Sequence, residues 1–222
     1  MIFLSEREDE EFVLQNEWDV AIPVSYSVVD GECTISCYPS VEREVHDFYE
    51  AHKDDLFSDA ALADLWNRID FFFEKHGYEA DRFRDRWGYV FRGTAKDSTV
   101  ARILNASDEN INETSYDIEA SVEDGRLAFG VEENGRIVSV AVTHTPIEDG
   151  LAIAEVGVET VPKSRKKGYA TASLSALSAY LFRHGVETEY RCQRYNIGSY
   201  RVAEAAGLEL KGKYYYYVGR KK

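Results

Sequence analysis

No apolar run in the chain approaches the roughly 18 residues of a membrane-crossing helix, and the opening MIFLSEREDEEF lacks the basic start and long apolar stretch of a secretory signal. The expectation is a cytoplasmic protein without membrane contact. Cysteine is scarce: Cys33, Cys37 and Cys192 are too few for a disulfide framework. Cys33 and Cys37 fall on one face of the alternating run ECTISCY and read as reduced core residues. No metal is expected, because His46, His52, His76, His144 and His184 are scattered without ligand spacing. Low-complexity linkers and internal repeats are missing too, so the first 95 or so residues should pack directly on the C-terminal part of the chain.

The residues that are present suffice for a sizeable core. The 222 residues are 44% hydrophobic and 13% aromatic, enough for one large domain or two small ones. The net charge of -14 conceals an asymmetry: residues 161–222 hold 13 Lys and Arg against 4 Asp and Glu, and residues 1–160 hold 13 against 36. The basic end suits a polyanionic small molecule. The acidic remainder argues against nucleic acid and leans toward a cationic partner such as an amine.

Along the chain, IPVSYSVVDGECTISCY alternates on both sides of Asp30-Gly31 and reads as a hairpin. Two helical patterns come next, VEREVHDFYEAHK and DAALADLWNRIDFFFEKHG, the second starting at Ser58-Asp59 and stopping at Gly77. Its stripe of Leu65, Trp66, Ile69, Phe72 and Phe73 is assigned to the core. WGYVFRG (87–93) reads as a strand, and 94–125 as polar connecting structure with room for a short helix. Three strands then run in succession from Arg126 to Thr160, turning at Glu133-Asn134-Gly135 and Glu148-Asp149-Gly150. KGKYYYYVGRKK supplies a closing strand whose tyrosines alternate between faces.

The most informative stretch lies at Leu151–Gly207. The strand pattern LAIAEVGVET leads into Arg165-Lys166-Lys167-Gly168-Tyr169-Ala170, and then into TASLSALSAYLFRHG, where Leu174, Leu177 and Leu181 recur at helical spacing. The first N–H groups of a helix lack intrahelical partners and sit at the positive end of its dipole, so a phosphate placed there gains several donors at once. Gly168 and Ala170 keep that backbone reachable, and Arg165, Lys166 and Lys167 add positive charge. The turn suits a pyrophosphate. A dinucleotide fold is disfavoured, since G-x-G-x-x-G is missing.

A second strand, TEYRCQR (188–194), precedes Asn196-Ile197-Gly198-Ser199, a short helix YRVAEAA and Gly207-Leu208. Taken together, R-x-x-G-x-A between strand and helix and N-x-x-S after the next strand resemble the GNAT N-acetyltransferase superfamily over residues 127–218. The resemblance implies an α/β (α+β) fold with a mixed, mostly antiparallel central sheet, whose two splayed parallel strands hold acetyl-CoA. Residues 96–222 would form the acetyltransferase domain. Residues 1–95 would be an N-terminal α/β extension contributing to acceptor specificity.

By the same resemblance the amides of Lys166, Lys167, Gly168, Tyr169, Ala170 and Thr171, with Arg165, would hold the pyrophosphate. Backbone at Val156 and Val158 would pair with the pantetheine arm, and Asn196 and Ser199 would guide the CoA tail. Glu155 is the first choice for the base that takes the amine proton, and Glu159 the second. Many members carry a tyrosine seven residues after the asparagine, where it can protonate the leaving thiolate. Ala203 stands there in this chain, so Tyr195 or a water is the candidate acid.

The implied function is acetyl transfer from acetyl-CoA to an amine of a small molecule or peptide, by a monomer or homodimer. The alternative, raised by Ala203, is a CoA-binding sensor or scaffold without turnover.

Overall fold

The structure, a computed structural model, describes residues 2–5, 20–80 and 87–221. Two compact units result, one of Met1–Gly88 with Gly212–Lys222 and one of Tyr89–Lys211.

In the first unit β2 (Val20–Val29) and β3 (Glu32–Cys37) form the expected hairpin. Asp30 and Gly31 both take positive φ, as a two-residue turn matching the strand twist requires. A further strand, β1 (Ile2–Ser5), runs parallel to β3. The sequence does not announce it, because four residues offer too little alternation and the partner lies some thirty positions away.

Helices α1 (Glu42–His52) and α2 (Asp59–His76) come after the hairpin. The Ser58 side chain accepts from the Ala61 N–H, and left-handed Gly77 ends α2 as its sequence signals foretell. Leu65, Ile69, Phe72 and Phe73 are buried, and Trp66 packs against the same cluster, so the stripe is core. β4 (Tyr78–Ala80) and β2 both pair antiparallel with β11 (Glu209–Lys221), which belongs to this unit from Gly212 onward. On β11, Tyr215 accepts from the Trp66 indole at 2.7 Å, and Tyr217 stacks near it.

In the second unit the strands lie in the order β5 (Gly88–Gly93), β10 (Glu187–Gln193), β9 (Ile153–Thr160), β8 (Arg136–Thr143), β7 (Ala128–Glu133) and β6 (Arg102–Ile103). The meander β7-β8-β9 is antiparallel, and β10 runs parallel to β9. The mixed, mostly antiparallel sheet implied by the sequence is thus observed. The polar segment before it contains a 3-10 turn at Ala106–Ile111 and the short helix α3 (Ile118–Glu123), capped by Asp117.

Helix α4 (Tyr169–Arg183) covers this sheet, and α5 (Ile197–Ala206) packs beside it. Leu174, Leu177 and Leu181 are buried as their spacing implies, joined by Ser173, Ser175, Ala176 and Ser178. These small side chains let the helix approach the strands closely, and two of the hydroxyls find partners. Ser178 Oγ accepts from the Ala95 N–H at 3.0 Å and from Thr188 Oγ1 at 2.9 Å. Ser173 donates to Ser139, itself bonded to Thr160 at 2.8 Å.

Ser178→Ala would strand the buried Ala95 amide and the Thr188 hydroxyl, at a cost of about 1–3 kcal/mol. Ser175 is also buried but makes no side-chain hydrogen bond among the described residues, so Ser175→Ala should cost clearly less. Urea midpoints of the two variants check this, and equal midpoints would refute it.

Candidate active site

The site begins where two parallel strands part. β10 pairs with β9 only through Glu187↔Ile153, Thr188↔Ala154 and Glu189↔Glu155, while β9 continues to Thr160 paired on its other edge with β8. On that other edge the His144 N–H donates to Glu155 O and the Val161 N–H to Val138 O. Odd-numbered residues of β9 therefore address β8, and by strand alternation the backbone of Val156 and Val158 addresses the side from which β10 departs. The Val156 side chain is buried beneath α4, as is that of its neighbour Ala154.

Between the parted strands lies a cleft of about 710 Å³. Val158, Glu159 and Thr160 form one wall, and Tyr190, Asn196, Ser199, Arg201 and Val202 the other. The turn closes its end with Arg165, Lys166, Gly168, Tyr169, Ala170 and Thr171. Lys166 at φ 62 and Gly168 at φ 81 bend the backbone so that α4 starts at Gly168, and no side chain caps it. The first bond across this start runs from the Ala172 N–H to Gly168 O. The amides of Tyr169, Ala170 and Thr171 are thus left to face the cleft at the positive end of a 15-residue helix.

The three cations of the turn have separate tasks. Arg165 Nε donates to Thr160 O at 3.0 Å and fastens the turn to the strand end. Lys166, with Arg201 across the cleft, forms no ion pair with the described residues. Lys167 points away from the cleft and pairs with Glu133 at 2.7 Å. Glu133 also accepts from Ser164 at 2.8 Å and from Tyr169 at 2.9 Å. These bonds, that of Lys167 foremost, hold its carboxyl down at about 2. Sequence reading missed Glu133, since nothing at the end of β7 announces that it staples a turn some thirty residues later.

Asn196 caps α5, its Oδ1 accepting from the Ser199 N–H at 3.1 Å, and it lines the cleft with Ser199. Tyr195 is 56% exposed, donates to Gln193 and is not among the cleft residues. The tyrosine in the wall is Tyr190, buried and hydrogen-bonded to Ser199, its pKa raised chiefly by burial. Ala203 is fully buried in the core.

On the odd-numbered face of β9, Glu155 and Glu159 flank Gly157 as the alternation requires. Glu159 accepts from the Ser115 N–H at 2.9 Å and its hydroxyl at 2.5 Å. Glu155 faces His144 Nδ1 at 3.3 Å and Arg191 Nε at 3.6 Å. Burial alone would raise its pKa, but the His144 bond and the Arg191 charge hold it below the usual carboxylate value. Arg191 also pairs with Glu189 at 2.6 Å, and Glu189 with Arg92 at 2.7 Å, so charges alternate from β5 to β9. No group of His, Cys, Asp or Glu among the described residues could hold a metal, and no described helix is long and apolar enough to cross a membrane.

Residues 117–217 match the family model described as GNAT acetyltransferase. The resemblance carried by the two motifs is thus matched by a family model over this part of the chain. No curated protein matches the chain. Among solved structures it is similar to an acetyltransferase of the GNAT family from Novosphingobium aromaticivorans, at 18% identity and TM-score 0.48 over 66% of this chain and 69% of that one. A GCN5-related N-acetyltransferase from Kribbella flavida gives 18% and 0.47 over 69% and 64%. A Drosophila protein gives 15% and 0.51 over 69% of this chain and 56% of its own, and supports the fold.

The Glu133 staple has a testable pH signature. A carboxyl at about 2 when folded and about 4.3 when unfolded stabilises the fold fully above the unfolded value and loses that contribution as pH falls toward 2. The melting temperatures of the parent and Glu133→Gln should differ at pH 5 and converge by about pH 2. A gap that does not change with pH would refute the assignment.

Proposed function

We propose that the protein is an acetyl-CoA dependent N-acetyltransferase that acts on an amine of a small molecule or peptide. One observation carries this reading: uncapped amides, cations without ion pairs among the described residues and an unpaired strand edge line a single cleft. The amides from Lys166 to Thr171, with Arg165, Lys166 and Arg201, suit a pyrophosphate. Val156 and Val158 suit the amide-bearing pantetheine arm, bound as an added strand. Asn196 keeps its Nδ2 donor for the same arm while its Oδ1 caps α5.

Acetyl-CoA supplies an activated acyl group as a thioester. The chain's own work is to hold that group beside β9, polarise its carbonyl with the N–H near Val158, and give the amine proton a destination on the face of Glu155, Gly157 and Glu159. For the thiolate, Tyr195 is exposed and its hydroxyl is given to Gln193, which leaves water as the proton donor. A second reading, a CoA-binding module without turnover, draws on the buried Ala203.

Two measurements test the proposal. Calorimetric titration should show CoA binding that weakens about tenfold or more in Gly168→Asp, since 1.4 kcal/mol of lost or repulsive interaction is a factor of ten. Equal affinity would remove the assignment. Free-thiol release from acetyl-CoA with polyamines, aminoglycosides, aromatic amines and peptide N-termini should reveal an acceptor. Tight CoA binding without turnover on any amine would favour the second reading.

A further inference from the structure

Gly157 lies midway along β9, and the space a side chain would occupy there is taken. A Cβ on Gly157 would collide with the Tyr116 hydroxyl and come within 2.7 Å of His144 Nε2. Two polar atoms from outside the strand thus meet over its backbone, one residue before Val158. Neither the Tyr116 hydroxyl nor His144 Nε2 has a hydrogen-bond partner among the described residues.

His144 is held from behind. Its N–H donates to Glu155 O at 2.9 Å, and its Nδ1 faces Glu155 Oε1 at 3.3 Å. A carboxylate can only accept, so this contact assigns the proton of the neutral ring to Nδ1 and leaves the Nε2 lone pair exposed toward Gly157. Glu155 is held in turn by Arg191. The ring is 48% exposed, so an acceptor can reach it.

We infer that His144 Nε2 is the atom that takes the proton of the acceptor amine, and that Glu155 acts through it as a positioning residue. The inference rests on the acetyltransferase reading and deepens it. As the amine nitrogen bonds to the thioester carbonyl carbon, its proton passes to Nε2. The carbon–sulfur bond then breaks with its electron pair on sulfur, which takes a proton from water to leave as the thiol. The imidazolium returns its proton to solvent, and Glu155 compensates its charge in the interval. Besides Glu155, the groups near the ring are the Tyr116 hydroxyl from the segment before α3, which meets Nε2 over Gly157, and Arg191 of β10 behind Glu155, while Glu159 further along β9 is held by Ser115. Tyr116 is raised to about 12, by burial first and then by Glu159, and stays a neutral hydroxyl throughout.

The test compares the parent with His144→Gln, His144→Asn and Glu155→Gln, using acetyl-CoA and a panel of spermidine, tyramine and a short peptide. Both histidine variants should bind CoA within about threefold of the parent and lose a hundredfold or more in turnover, the range expected on losing a general base. The acidic limb of the parent's pH profile should vanish with them. Glu155→Gln should keep that limb and shift it to lower pH, because the imidazolium has lost its counter-charge. Full turnover in either folded histidine variant would overturn the inference and leave the acetyltransferase reading intact, whereas a parent that turns over none of the panel would overturn both. Nitrogen-15 shifts of the parent's imidazole add a readout independent of activity. The neutral ring should carry its proton on Nδ1, and a proton on Nε2 would overturn the inference.

Discussion

The second unit depends on a parallel pairing that stops after three residues. At the last pair, Glu189↔Glu155, two carboxylates are register partners, and like charges so placed repel. Arg191 reaches both, at 2.6 and 3.6 Å, and Arg92 holds the far side of Glu189. The fork is therefore stitched by alternating charges at the point where backbone hydrogen bonding ends. Everything the cleft offers derives from that ending: the free edge of β9, the gap beside it, and the convergence of two helix starts at its mouth.

The turn at the cleft's end divides backbone from side chain. An anion site built only from lysines would depend on long flexible chains, each ordered at an entropic cost. Here the geometry is set by positive φ at Lys166 and Gly168, and two of the three cations serve as fasteners. Arg165 ties the turn to Thr160, and Lys167 ties it to Glu133, which also gathers Ser164 and Tyr169. The helix-start amides are thereby presented by a loop anchored to strands on both sides. On the proposed reading, an anion bound there would meet mostly fixed dipoles, with Lys166 and Arg201 adding charge.

Much of this was legible because it is local. A turn at Asp30-Gly31, a cap at Ser58, a stop at Gly77 and leucines at helical spacing each act within a few residues, and each appears where the sequence places it. The R-x-x-G-x-A and N-x-x-S motifs likewise mark the starts of α4 and α5 and come together in one cleft. The features that escaped are long-range. β1 pairs with a strand some thirty residues on, Glu133 reaches a turn equally distant, and Tyr116 and His144 meet over Gly157 from separate segments. Glu155 was legible as a carboxylate on the odd-numbered face of β9, but its alternation could not reveal that a histidine from the end of β8 would stand in front of it.

That histidine changes what the carboxylate is able to do. Burial would make Glu155 a stronger base, yet the His144 bond and the Arg191 charge more than offset it, and its affinity for a proton falls. A carboxylate held in this way takes a proton from an amine poorly, but it stabilises a neighbouring positive charge well. An imidazole changes charge between about pH 5 and 8 and so can both take and release a proton near neutrality. The same contacts that weaken Glu155 as a base orient His144 and prepare a counter-charge for it. The charge chain from Arg92 to His144 thus holds the fork in place and, at its last member, presents a lone pair to the open strand.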